Sequence, residues 1–233
     1  MTMMRELFRV NEIFYSLQGE GRNTGRAAVF VRFAGCNLRC PFCDTEFDTY
    51  REMTAEEILA EVDECRKDVS PCDAYSKPLL VLTGGEPTLQ VDEAFVELLH
   101  QHGYEVAMES NGILPAPKNL DWLTVSPKGS GEWREERGER REDSGKRLPD
   151  EIKVVFDEDT PTRLPSILSS LEYLSKHPSL WEGLGRHPLR YLQPCDTGDA
   201  ERNAHILHLC IEYIKQHPCW RLSLQTHKLT GLK

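Results

Sequence analysis

The chain has 233 residues, and its 38 acidic side chains outnumber 28 basic ones for a formal net charge of −10. That length suffices for one sizeable core and calls for no second domain. The acid excess, with no local basic patch to offset it, argues against a nucleic-acid partner and towards small-molecule chemistry. The segment Met1-Thr-Met-Met-Arg-Glu6 carries no apolar signal run, and nowhere do about 18 apolar residues follow one another, so a cytoplasmic protein without a membrane partner is expected. In that setting the eight cysteines are expected to be reduced thiols, metal ligands or buried apolar residues rather than disulfides.

In chain order, residues 27–35 are β-branched and aromatic between glycines, which predicts a strand. A cysteine cluster follows at once. Thr54-Ala-Glu-Glu57 has capping-box spacing ahead of Ile58, Leu59 and Val62 at helical period, predicting a helix over 54–66. Residues 78–83 form a short apolar run that ends on Gly84-Gly85, a buried strand with a glycine turn. A helix is expected over 91–102 and a strand over 104–108. Apolar runs at 122–125, 152–156 and 189–192 continue the strands, with a helix near 164–175 before the last of them. A long helix over about 200–216 precedes 221–224. No internal repeat of fixed period is present. Residues 132–147 hold six acids and six bases with almost no apolar content, a solvated loop with little to give a core.

Strands alternating with helices predict an α/β fold of parallel βαβ units, in which ligands collect beyond the C-terminal ends of the strands. Cys36, Gly84, Asn111, Ser126 and Gln193 each follow a predicted strand and so belong to one candidate site. Cys36-Asn-Leu-Arg-Cys40-Pro-Phe-Cys43 places three thiols within reach of one metal centre. A structural zinc site closes its tetrahedron with a fourth ligand, whereas a [4Fe–4S] cluster on three thiolates leaves one iron open to an exogenous ligand. A zinc knuckle with a remote fourth ligand, such as Cys65, Cys72 or a histidine, is the alternative. Cys65, Cys210 and Cys219 otherwise read as buried, inert thiols.

The C-x3-C-x2-C spacing, the aromatic Phe42 before the last cysteine and Gly84-Gly85-Glu86-Pro87 after the next strand together resemble the radical S-adenosylmethionine (SAM) superfamily. Further segments from residue 17 to 228 resemble one family within it, 7-carboxy-7-deazaguanine synthase. They are Leu17-Gln-Gly-Glu-Gly21, Arg32, Cys43-Asp44-Thr45, Thr83, Ser126-Pro-Lys128, Gln193-Pro-Cys-Asp196 and Gln225-Thr-His-Lys228. Two departures stand out: Ser110 occupies a position where threonine is expected, and Leu-Thr-Gly-Leu-Lys follows Lys228 in place of an aromatic-containing tail, so residues 229–233 are left out of the site.

The resemblance implies a partial, TIM-like parallel β/α barrel in a single domain, with an insertion at about 129–149. It implies that Cys36, Cys40 and Cys43 hold a [4Fe–4S] cluster. Phe42, Gly85, Ser126, Pro127, Lys128, Gln193, Pro194, Cys195 and Asp196 would contact SAM, and Thr45 would help hold Mg2+. Leu17, Gln18, Gly19, Arg32 and Thr83 would contact the substrate, 6-carboxy-5,6,7,8-tetrahydropterin. Arg32 suits its carboxylate because a guanidinium offers two donors side by side, and Glu20 and His227 are candidate partners for the donor and acceptor edge of the pterin. The family reaction runs from a 5′-deoxyadenosyl radical, which takes hydrogen from C6 of the pterin, to ring contraction and loss of ammonia. A homodimer and a flavodoxin-like electron donor are also implied. The competing expectations are a glycyl-radical-activating enzyme sharing the cysteine motif and a non-enzymatic zinc module.

Overall fold

A computed structural model describes residues 6–41, 43, 48–69, 77–128, 147–169 and 187–232. Its described strands are β1 (Phe8–Leu17), β2 (Ala27–Phe33), β3 (Arg51–Met53), β4 (Leu79–Gly84), β5 (Glu105–Ser110), β6 (Trp122–Val125), β7 (Glu151–Phe156), β8 (Leu189–Pro194) and β9 (Arg221–Leu222). They form one sheet in the order β3-β1-β2-β4-β5-β6-β7-β8-β9. From β2 to β9 every neighbouring pair is parallel, and antiparallel β1 and β3 complete one side. Among the described residues β3 and β9 do not pair, and the fold is an incomplete TIM-like β/α barrel.

The described helices are α1 (Ala55–Glu64), α2 (Glu93–Gln101), α3 (Thr160–Ser169), α4 (Ala200–Gln216) and α5 (Thr226–Thr230). The capping box predicted at α1 is present: Thr54 Oγ accepts from Glu57 N–H, and Glu57 accepts from Thr54 N–H at 2.7 Å. Asp92 and Asp199 cap α2 and α4 in the same N-terminal manner. Helix α3 begins four residues earlier than its apolar pattern suggests, with Pro161 in a first turn where a missing N–H costs little; residues 170–175 of the expected helix lie outside the described residues. So does the charged segment up to residue 146. No described helix is long and apolar enough to cross a membrane.

Alternation along the strands sorts side chains onto two faces. Val29, Val31 and Phe33 of β2, Leu80 and Leu82 of β4, and Val106 and Met108 of β5 join a core with Ile58, Phe95, Leu99 and Ile206 of the helices. The opposite face encloses a smaller apolar plug of Ala28, Phe30, Leu79, Val81 and Ala107, flanked by Phe14 and Trp122. Further along the strands that face turns polar. Arg32 lies in register beside Thr83, and Glu109, two residues after Ala107 on β5, lines a cavity beyond the plug. Two strands escape the sequence patterns. In β1 the register slips between Val10 and Glu12, which breaks the period-2 pattern, and β3 is a three-residue edge.

Candidate active site

Beyond the C-terminal ends of the parallel strands lies a cavity of about 710 Å³. Cys36, Cys40 and Cys43 line it from the loop after β2. That loop is held by glycines. Gly84 has φ +121, and a Cβ on Gly85 would sit 2.0 Å from the carbonyl oxygen of Gly35. Gly85 N–H donates to Phe33 O at 2.9 Å and Glu86 N–H to Gly35 O at 2.8 Å, so the double glycine lets the β4 turn seat itself against the start of the cysteine loop.

The same turn is tied to β5 through Glu86. Its fully buried carboxylate accepts from Thr88 N–H and Oγ–H, from Ser110 Oγ–H at 2.9 Å and from Asn111 N–H at 2.8 Å. Burial raises its pKa, and these donors oppose the rise. Serine at 110 keeps the hydroxyl that this contact needs. Asn111 Nδ2–H then donates to Asn37 Oδ1 at 2.7 Å, next to Cys36.

The cysteines suit a cationic iron–sulfur centre. Cys36 Sγ accepts from Leu38 N–H at 3.4 Å, and Cys43 N–H donates to Cys40 O at 3.1 Å, bending the loop so that all three thiols face the cavity. Burial raises the pKa of Cys36 and Cys40, and neighbouring thiols raise them further. Three clustered thiolates therefore need a compensating positive charge, which a cluster supplies. Among the described residues no three His, Cys, Asp or Glu side chains close into a single-ion shell.

Around this centre stand most of the residues singled out from sequence. The end of β1 and the loop after it bring Leu17, Gln18, Gly19 and Glu20; β2, β4 and the turn after β4 bring Arg32, Thr83 and Gly85. Ser126 and Lys128 follow β6, Gln193 and Pro194 end β8 with Cys195 and Asp196 just past it, and His227 enters from α5. Pro127 is buried between two lining residues but is not itself part of the wall. Phe42, Asp44 and Thr45 lie outside the described residues, as does Cys72. Cys210 is buried as expected, but Cys219 is exposed, because it lies in the turn leading into the short edge strand β9.

Arg32 Nε donates to Glu12 Oε1 at 2.9 Å, and the guanidinium stands 5.8 Å from the Phe14 ring centroid. Its Nη groups make no hydrogen bond among the described residues. Lys128 donates to Ser126 Oγ at 2.8 Å, and burial lowers its pKa. Gly19 has no room for a side chain, since a Cβ there would lie 2.1 Å from His227 Nδ1. Thr226 N–H and Oγ–H both donate to Gly19 O, at 3.0 and 3.1 Å, fixing α5 over the β1 loop. Lys228 pairs with Asp196 at 2.9 Å, and their contact lowers the Asp196 pKa.

One charged group went unnoticed in the sequence. Lys153 of β7 is buried inside the barrel, ion-paired with Glu20 and 3.7 Å from Glu109. Glu20 also accepts from Gln193 at 3.1 Å and Gln225 at 3.0 Å, while Glu109 accepts from Gln18 at 3.0 Å. Burial alone raises the Glu20 pKa, but Lys153, with the Gln225 hydrogen bond and His227, brings it well below the usual range. A lysine in the middle of Glu151-Ile-Lys-Val-Val-Phe156 alternates with apolar residues as a surface lysine does; only barrel curvature turns that face inward.

The radical SAM superfamily matches residues 30–129. A 7-carboxy-7-deazaguanine synthase of Bacteroides thetaiotaomicron is 38% identical, over 99% of this chain and 100% of its own length. That of Bradyrhizobium diazoefficiens is 38% identical over 97% and 99%. The crystal structure of QueE from Escherichia coli is similar with a TM-score of 0.66 at 26% identity, covering 94% of this chain and 93% of that one. The superfamily implies a [4Fe–4S] cluster and SAM, and the thiol set above suits them. With relatives this similar over the full length, the chain belongs to the 7-carboxy-7-deazaguanine synthase family of radical SAM enzymes.

Proposed function

We propose that the chain converts 6-carboxy-5,6,7,8-tetrahydropterin to 7-carboxy-7-deazaguanine with loss of ammonia, a lyase step towards queuosine and related 7-deazapurines. The observation that carries the reading is the meeting in one cavity of three cysteines, an arginine whose Nη groups make no hydrogen bond among the described residues and a polar floor of Gln18, Glu20 and Glu109. Family membership stands behind it, and does not favour a glycyl-radical-activating role or a zinc module.

The cluster and SAM, once bound, supply the one-electron cleavage that starts the reaction. The chain's own residues do the rest by position. Arg32 takes the substrate carboxylate through its Nη edge. Leu17 to Glu20, Thr83 and His227 hold the ring, while Phe14 and Phe30 keep water from the wall beside it. Gly85, Ser126 to Lys128 and Gln193 to Asp196, with Phe42, hold SAM. Thr45 is proposed as a Mg2+ ligand, a hydroxyl oxygen suiting a hard cation that keeps most of its waters. A flavodoxin-like donor, a homodimer and one domain throughout complete the reading.

The test is incubation of the anaerobically reconstituted, reduced protein with SAM, Mg2+ and the carboxylated tetrahydropterin. Carboxydeazaguanine and ammonia are expected in equal amounts. SAM cleavage without that product rejects the reading.

A further inference from the structure

Lys153 sits where a strand interior has no solvent to offer a cation. Its ammonium meets a Glu20 oxygen and lies 3.7 Å from Glu109 Oε1. Glu20 belongs to the loop after β1 and Glu109 to β5, so the lysine bridges opposite walls of the barrel from a third strand. Both Glu20 oxygens are engaged, one by Lys153 and the other by Gln193 and Gln225. Glu109 Oε1 takes Gln18 as well, whereas Glu109 Oε2 has no hydrogen-bond partner among the described residues and belongs to a side chain that lines the cavity.

Two carboxylates on facing walls repel each other and favour protonation when water is excluded. A protonated acid presents an O–H where an acceptor is wanted. We propose that Lys153 is a positioning residue that keeps Glu20 ionised and holds Glu20 and Glu109 in place on the cavity floor, so that the floor accepts hydrogen bonds from the N–H edge of a bound heterocycle. The inference rests on the pterin reading for the identity of that heterocycle. Lys153 itself needs no contact with it.

Other charges bear on the same spot. Glu151 of β7, Lys128 after β6 and His227 of α5 all face the group. Burial raises the Glu151 pKa to about 7 while Lys153 opposes the rise, so Lys153→Arg, which keeps that opposing charge, is the control for the titration of Glu151.

The experiment measures equilibrium binding of the carboxylated tetrahydropterin and of SAM, by calorimetry, to the reconstituted protein at about pH 6 and about pH 9. Wild type, Lys153→Met and Lys153→Arg are compared. In Lys153→Met the buried Glu20 carboxyl loses the charge that opposes its desolvation and takes up a proton near pH 6. Pterin affinity is then expected to fall by about tenfold or more and largely to recover near pH 9, the scale of one hydrogen bond to a charged group. Lys153→Arg keeps the charge and is expected to follow the wild-type pH profile. SAM affinity is expected to stay within about twofold in each.

Should Lys153→Met not fold, Lys153→Gln keeps a hydrogen-bond donor without the charge and is expected to fold. It leaves Glu20 without its cation, so the same loss near pH 6 is expected. Pterin binding by Lys153→Met, or by Lys153→Gln, that matches wild type at both pH values overturns the role of the lysine. So does equal loss of SAM and pterin, or a Lys153→Arg protein with the Met profile. A wild type that binds SAM but no pterin at either pH overturns the functional reading instead.

Discussion

Replacing Gly85 with alanine separates two reasons for a glycine at that position. If it serves only the approach of a ligand, the cluster-free protein has no cause to notice a methyl group. The structure gives it one. The added Cβ would lie 2.0 Å from Gly35 O and 2.5 Å from Gly35 C, against about 3.4 Å for an ordinary contact, and its neighbours are backbone atoms that cannot rotate away. The β4 turn and the cysteine loop must part by roughly 1.4 Å, the difference between those two oxygen distances. That movement breaks the 2.8 Å bond from Glu86 to Gly35 and strains the 2.9 Å bond from Gly85 to Phe33. With each bond worth about 1 kcal/mol net and overpacking adding a similar amount, Gly85→Ala is expected to lose about 2–3 kcal/mol. Urea unfolding of the cluster-free protein should show an earlier midpoint at unchanged slope, and anaerobic reconstitution should return less iron per chain. A cluster-free variant that unfolds at the wild-type urea concentration, with only SAM binding impaired, refutes the steric account.

Arg32→Ala is expected to weaken binding of the carboxylated pterin by about tenfold or more while leaving SAM within about twofold; calorimetry on the reconstituted protein checks it, and equal loss of both rejects the carboxylate role. Glu151→Gln probes a proton taken up on folding. Burial raises the carboxyl from 4.5 to about 7, so the contribution of this group to stability is complete below about pH 4.5 and is lost as pH rises through about 7. The glutamine variant should therefore match wild type near pH 4.5 and exceed it above pH 7, by on the order of 3 kcal/mol. A stability difference that does not change with pH refutes it.

Much of this arrangement was legible in the sequence because local signals and the fold agree. The helix over 200–216 has the bounds expected of it, Thr54 caps α1 as its spacing says, and Cys36, Asn111 and Ser126 follow their strands as expected, while Gly84 ends β4 and Gln193 lies within β8, each strand running further than its apolar run. The missing pieces are those in which tertiary structure overrides a local pattern. The bulge after Val10 hides β1 from a period-2 reading. Lys153 alternates with Ile152 and Val154 as an exposed residue does, and nothing local records that its face turns inward. Glu109 sits inside a recognisable Met-Glu-Ser-Asn-Gly segment, yet its proximity to Lys153 is a contact across 44 residues. Gly85 is expected from sequence to meet a ligand, and nothing local records that the backbone of Gly35 leaves it no room for a side chain.

The bonds from residues 223–226 to the β1 loop bear on how the protein is made. Gly21 N–H to Ser223 Oγ, Gln225 to Glu20 and Thr226 to Gly19 O join positions 202, 205 and 207 residues apart. A nascent chain emerges from its N-terminus at several residues per second, so the cysteine loop is exposed long before its cavity has a complete wall. The cysteine loop is thus made well before the residues that complete the wall around Glu20, so the finished cavity depends on contacts across nearly the whole chain, formed only once residues 223–226 have been added.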